Sequence, residues 1–153
     1  MASLSPGIQK VIQVVLALVI VVLAYILYQS ITEPYERVER QKEVTELTRA
    51  RMDNLRAALV MYERRNDRYI STLDSLQMWV MQDSVMTVRA DSIFGSMFDA
   101  DSLIYSPRTG KKFVYTVNDT SAVVTYLLED PDSDDYIGTL SGDVTQLNAA
   151  SWE

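Results

Sequence analysis

The residues best equipped for chemistry lie in one acidic stretch, "EDPDSDDYIG", which contains Asp130, Asp132, Asp134 and Asp135. Carboxylate oxygens at near-alternate positions are the hard ligands that Ca²⁺ takes, about six to eight oxygens per ion. The EF-hand spacing, with its glycine and late glutamate, is absent. The four aspartates are therefore candidate calcium ligands, set against the plainer reading of a solvated acidic turn. No other cofactor is expected. The chain has no His and no Cys, so imidazole catalysis, thiolate chemistry and disulfides are excluded and a zinc site is disfavoured. Carboxylates that could do acid–base work are plentiful, yet none is tied by its local sequence to a nucleophile or a partner. No phosphate-cradling glycine loop occurs. No catalytic residue is assigned, and the chain is expected not to be an enzyme.

Charge is unevenly spread over the 153 residues and the formal total of −7. Residues 1–32 carry a single charged side chain, Lys10; residues 33–98 hold eleven acids and ten bases; residues 99–153 hold ten acids and three bases. An acidic C-terminal part argues against nucleic acid, because phosphate would be repelled rather than bound with counterion release.

Those side chains need elements to place them, and the first is apolar. Residues 11–28 are continuously apolar except for Gln13, and Ile31 extends the run. About 20 helical residues span about 30 Å, the thickness of a bilayer core. The run is apolar on every face, which a surface helix of a globular domain is not. The reading is a retained transmembrane helix over 11–31, with Val14, Leu18, Val22 and Tyr25 among its anchoring residues. A cleaved signal peptide is the rival, but "YILYQSITEP" is bulky where a small-x-small site belongs. Basic residues flank both ends, and charge alone does not decide the orientation.

Pro34 lacks a backbone donor and disfavours helix at Glu33, so a kink or short break is expected there. Residues 35–66 contain no Gly or Pro, and Val38, Val44, Leu47, Met52, Leu55, Leu59 and Tyr62 recur at roughly helical spacing. Glu33/Arg37 and Glu36/Arg40 at i,i+4, and Glu46/Arg49 and Asp53/Arg56 at i,i+3, add local support. The reading is a kinked stalk helix over 32–66, solvated or in contact with a partner in its first half. Leu47, Leu55, Leu59 and Tyr62 pack on a distal domain, residues 67–153. In that domain Ser71 or Thr72 caps a short helix that buries Leu73, Leu76, Trp79 and Val80. Residues 83–102 read as a loop with a short strand near 85–88. Three β-rich runs follow, 103–105, 113–117 and 123–128, separated by "SPRTG" and "NDTS", and "DYIGTLSGDV" is a candidate edge strand. The fold class is α+β: an N-terminal transmembrane helix, a long kinked helical stalk, and a small antiparallel sheet packed on the helix.

This order of elements resembles the type IV pilin superfamily, particularly the major pseudopilins of type II secretion. "DNLRAALVMYERRNDRYISTLDSLQ" is similar to their helix ending in Tyr, polar turn, second Tyr and Leu-rich short helix. "SPRTGKKFVYTV" is similar to the turn before their first hairpin strand. The likeness covers most of the chain in layout and about 40 residues in motif. It implies a pseudopilin-like distal domain, and it implies that the acidic loop is the family's calcium loop. The family's basic leader ending in glycine, with a Phe next and then a Glu within the apolar helix, has no counterpart: Gly7 is followed by Ile8, and no acid precedes Glu33. "ITEPYERVERQKE" is also similar to uncharacterised single-pass envelope proteins of Bacteroidota.

The expectation is a single-pass protein of the bacterial inner membrane. Residues 1–10 are then cytoplasmic and the C-terminal domain periplasmic. Its partners are the lipid bilayer and other membrane proteins, including copies of itself, and it acts as a non-catalytic accessory or scaffold component of a membrane complex. The alternatives are a filament-forming pilin or type II secretion pseudopilin subunit, and a soluble domain released by signal cleavage.

Overall fold

A computed structural model describes residues 6–88, 90–95, 98–120 and 123–153. The chain is α+β and divides into two compact units, Met1–Glu43 and Val44–Glu153. Helix α1, Pro6–Asn66, contributes to both. It continues through Pro34 without the short break that was the alternative to a kink there. Proline removes one N–H donor, and that single loss does not stop a helix favoured on both sides.

In the first unit the large apolar side chains of α1 are exposed around the whole circumference. Val14 is 67% exposed, Leu18 63%, Val22 46% and Tyr25 66%. This helix is long and apolar enough, by length and composition, to cross a membrane.

The second unit has a core of its own. On α1, Thr48, Met52, Leu55 and Leu59 are all fully buried. Their spacings of four, three and four residues make one helical face. Leu47, expected in this stripe, is instead 43% exposed; it lies one residue off the buried face, and Thr48 takes the place. A threonine is tolerated there because its hydroxyl donates to the Val44 carbonyl at 2.7 Å. Tyr62 is partly buried and meets the Trp79 ring edge-on, with 5.2 Å between centroids. The helix ends at Asp67, whose positive φ of 53° is the left-handed turn that stops a helix.

Helix α2, Leu73–Gln82, is capped by the Thr72 side chain, which accepts from the Ser75 N–H at 3.3 Å. It buries Leu73, Leu76 and Val80 as expected, with Trp79 partly covered. The short strand expected near 85–88 is a helix instead: α3, Ser84–Val88, followed by α4, Ala90–Ile93. The reason lies one residue upstream. The Asp83 carboxylate accepts from the N–H groups of Val85 (2.9 Å) and Met86 (3.0 Å), which nucleates a turn in a segment whose valines favour a strand.

A three-stranded antiparallel meander follows, β1 (Val114–Asn118), β2 (Thr125–Glu129) and β3 (Tyr136–Gly138), in the spatial order β1-β2-β3. The register places Val114 opposite Glu129, and Leu128 opposite Ile137. The run 103–105 is not a strand; only Tyr105 pairs, in an isolated bridge with Lys112. The "SPRTG" turn accounts for this, since Ser106 and Gly110 close it by backbone hydrogen bonds immediately after Tyr105. The expected edge strand in "DYIGTLSGDV" is present as β3. Leu103, Ile104, Phe113, Tyr126, Leu128 and Ile137 join the buried face of α1 and the inner face of α2 in one core.

Gly138 closes the strand under tight conditions. Its φ is +90°, and a Cβ there would lie 2.3 Å from the Tyr126 carbonyl oxygen. Gly138→Ala in the full chain is expected to cost more than about 2 kcal/mol, from the left-handed backbone and the clash together. Thermal unfolding of the detergent-solubilised protein checks this. A melting temperature equal to wild type would mean that the backbone relaxes there freely.

Candidate functional site

The acidic stretch forms the β2–β3 connection, and the structure puts cations, not a shared metal position, beside its carboxylates. Asp130 has a fully buried side chain and accepts from Arg108 Nε at 3.1 Å and from the Ser133 hydroxyl at 2.7 Å. Asp135 accepts from Arg49 of α1, whose Nη2 and Nε reach one carboxylate oxygen at 2.8 and 3.2 Å; Arg108 lies 3.8 Å from the other oxygen. Asp132 accepts from Lys111 Nζ at 2.5 Å and from the Thr109 hydroxyl. Asp134 is exposed. Among the described residues no group of three or more acidic side chains is arranged to hold a metal ion. The calcium ligand set of Asp130, Asp132, Asp134 and Asp135 is therefore not assembled. Asp130, Asp132 and Asp135 face three cations, Arg108, Lys111 and Arg49, and a cation ligand would have to displace them.

What the cluster does is tie chain segments far apart in sequence. Arg108, in the turn before β1, also donates to the Thr45 hydroxyl of α1 at 3.3 Å. Arg49 lies 5.2 Å from the Trp152 ring centre, within cation–π range. Asp130 Oδ1 is buried without a hydrogen-bond partner, so the Arg108 contact carries most of the compensation for that charge. Lys111, with its side chain more exposed, holds the Asp132 carboxyl below the usual carboxylate range, helped by Thr109.

A second set of contacts lies further along α1. Arg56 donates to the Asn148 carbonyl and to Glu153, both at 2.8 Å, and its guanidinium is 2.8 Å from Asp53. The Glu153 bond is the main cause that raises the arginine further above its ordinary value. Burial raises the Asp53 carboxyl, with Arg56 opposing. Arg51 donates to the Tyr105 carbonyl at 2.9 Å. The interleaved charges of α1 thus act as hydrogen-bond donors to the domain at Arg49, Arg51 and Arg56, beyond the local i,i+3 and i,i+4 pairing read from the sequence. Partner residues some 50 to 100 positions distant leave no periodic trace, and no signal in the sequence identifies them.

One buried and one partly buried phenol complete the interior. Tyr126 is fully buried and donates to Asn148 Oδ1 at 2.8 Å; Tyr115 donates to the Ile70 carbonyl at 2.9 Å. Burial pushes both hydroxyls well above the ordinary tyrosine value of 10.0, with the nearby Tyr69 adding to the shift. No triad, paired acid–base dyad or phosphate-holding loop is formed by the residues described above.

Two measurements follow from this geometry. Asp130→Ala, which strands Arg108 beside a buried gap, is expected to cost about 3 kcal/mol. The double variant with Arg108→Ala should cost clearly less than the sum of the single changes, as read by denaturant unfolding. Strict additivity would show that the two side chains do not interact. The tyrosines act at high pH. Because their folded values lie above the unfolded one, the native state holds protons that the unfolded chain releases. Stability is therefore fully present below pH 10 and declines as pH rises beyond it. Tyr126→Phe should flatten that alkaline decline while lowering the neutral-pH baseline by about 1 kcal/mol for the lost hydrogen bond. An unchanged slope would remove Tyr126 from this role.

No protein-family model, no curated protein and no solved structure matches this chain.

Proposed function

We propose that the protein is a single-pass inner-membrane protein of the bacterial envelope. On this reading a pseudopilin-like periplasmic domain serves as a non-catalytic accessory or scaffold component of a membrane complex. The observation that carries this is the first part of α1, where every large apolar side chain from Val11 to Leu23 is at least 46% exposed. Burying a Val, Leu or Ile side chain is worth about 1.5–3 kcal/mol. A run of this length left in water would therefore cost more than a domain's whole stability of about 5–15 kcal/mol. Lipid relieves that cost on all faces at once. Tyr25 and Tyr28 at one end of the run suit the membrane interface.

The non-catalytic reading is supported by how the polar groups of the second unit are used. Three carboxylates of the acidic loop, Asp130, Asp132 and Asp135, are paired to arginine or lysine from other segments. The fold class agrees with the pseudopilin layout at the level of a helix and a small antiparallel meander. The acidic loop contributes to scaffold function through its ion pairs, so calcium has no part in this proposal.

The absence of native Cys makes the topology directly measurable. Lys10→Cys and Ser141→Cys replace exposed residues at opposite ends of the chain. With a membrane-impermeant maleimide on spheroplasts, Ser141→Cys is expected to label fully. Lys10→Cys should label at least ten-fold more after lysis. The reverse pattern would overturn the orientation. Release of the protein from membranes by an alkaline wash would overturn the anchor itself. An intact mass starting at Ile8 would favour the filament-subunit alternative.

A further inference from the structure

The two edges of the sheet are finished differently. At β3 residues 149–151 bond the outward backbone groups. The Gly138 N–H donates to the Ala149 carbonyl at 2.9 Å, the Tyr136 carbonyl accepts from the Ser151 N–H at 2.9 Å, and the Tyr136 N–H donates to the Ser151 hydroxyl at 3.0 Å. At β1 the direction of the backbone groups follows from the bonds around it. The Asp130 N–H donates to the Asp135 carbonyl at 3.0 Å. By alternation Leu128 and Tyr126 also point to β3, which leaves Thr125, Leu127 and Glu129 for β1. Their partners Asn118, Thr116 and Val114 therefore bond β2, and Tyr115 and Val117 turn their N–H and C=O groups outward. Just upstream the Phe113 N–H donates on that outer side to the Ile104 carbonyl at 3.0 Å. Beyond Phe113, among the described residues, no hydrogen bond from another segment reaches the outward backbone groups of Tyr115 and Val117. The strand itself, Val114–Asn118, contains no Pro, no Gly and no charge, the devices that blunt an open edge.

We infer that this edge pairs with β1 of a second copy, antiparallel about a two-fold axis at Thr116. In that register Tyr115 of each copy lies opposite Val117 of the other, and each such pair exchanges both N–H···O bonds, so every outward group of the two strands is satisfied. Moving the axis to Tyr115 would oppose Val117 with Phe113, whose N–H is already bonded to Ile104. Moving it to Val117 would oppose Tyr115 with Asp119, beyond the strand. The side chains agree with the backbone. Tyr115 meets a β-branched Val117 twice and Thr116 meets Thr116, pairings that stabilise antiparallel strands. The flanks select the direction: Lys111 and Lys112 precede β1 and Asp119 follows it. Antiparallel pairing brings each copy's lysines to the other's Asp119, whereas parallel pairing sets lysine beside lysine. Both lysines also hold carboxylates of their own copy, Asp132 and Asp74, so charge here orients the pair and adds little affinity. A strand of another protein would satisfy the same backbone groups; the copy is favoured because register, side-chain pairing and flank charge agree in it. An interface of one five-residue strand belongs to the weak, transient class. The inference goes beyond the scaffold reading, concerns the second unit alone and does not depend on the anchor.

The chain has no native Cys, so the axis is open to a direct probe. In the proposed register Thr116 faces its own copy as a non-hydrogen-bonded pair, with Cα atoms about 4.5 Å apart, within the span of a disulfide. Full-length Thr116→Cys in detergent is expected to form a disulfide-linked dimer on mild oxidation at least ten-fold faster than Val114→Cys or Ser141→Cys, which are exposed but off the axis. Thr116→Lys sets two like charges opposite each other. It should raise the dimer Kd at least ten-fold by sedimentation equilibrium with the melting temperature unchanged, since Thr116 is exposed. Equal rates for the three cysteine variants, no cross-link at Thr116, or a Thr116→Lys dimer as tight as wild type would overturn the proposal. The cross-link reads the second unit only, so its failure leaves the anchor intact and a failed topology assay leaves the strand pairing standing.

Discussion

Burial of one face of α1, formed by Thr48, Met52, Leu55 and Leu59, is the constraint on which the second unit depends. Those fully buried side chains are the shared surface that lets a three-stranded meander and three short helices form one core. A sheet this small is marginal without a cover. The strands contribute Tyr126, Leu128 and Ile137, and α2 contributes Leu73, Leu76 and Val80. Truncating a buried leucine such as Leu55 or Leu59 removes roughly 2–5 kcal/mol, a large share of what holds a domain of this size. The arginines on the flanks of the same helix then fix the strands and the C-terminal segment in place. Packing supplies the free energy, and the hydrogen bonds from Arg49, Arg51 and Arg56 choose one docking arrangement.

The acidic loop shows how one residue composition supports two opposite chemistries. Clustered aspartates on an open loop would gather a hard cation. Here Arg108, Arg49 and Lys111 arrive from other segments, and each takes a carboxylate. A buried pair such as Asp130–Arg108 gains little net stability over an apolar pair, because both charges lose solvent. It does penalise any arrangement that separates the partners, and so favours one position of the β2–β3 connection against α1. The ion pairs therefore contribute more to the uniqueness of the fold than to its depth.

Much of the architecture was legible because it rests on local periodicity. The apolar run, the long helix, the capped α2 and the β-rich stretches all follow from spacing and from turn residues. Three departures have local causes that a pattern search weighs wrongly. Leu47 lost its place to Thr48 because a hydroxyl bonded to its own helix can be buried. The 85–88 segment became helical because one carboxylate, Asp83, capped it. The run 103–105 did not extend as a strand because the Ser106–Gly110 turn intervened. The ion pairing of the aspartate cluster was illegible for a different reason: its partners lie from 21 to 86 residues away, and only the folded chain brings them together.

Two of the exposed apolar areas among the described residues, on the first part of α1 and on α2 and α3, differ in kind. Around the first part of α1 the exposure is circumferential, uncharged and unbroken over several turns, which a single protein partner cannot cover but a bilayer can. On α2 and α3 it is one-sided and limited to a few side chains, Met78, Met81, Val85 and Val88. A bilayer gains little from so small a patch. The two areas thus differ in shape more than in size: one encircles a helix, the other is confined to a few side chains.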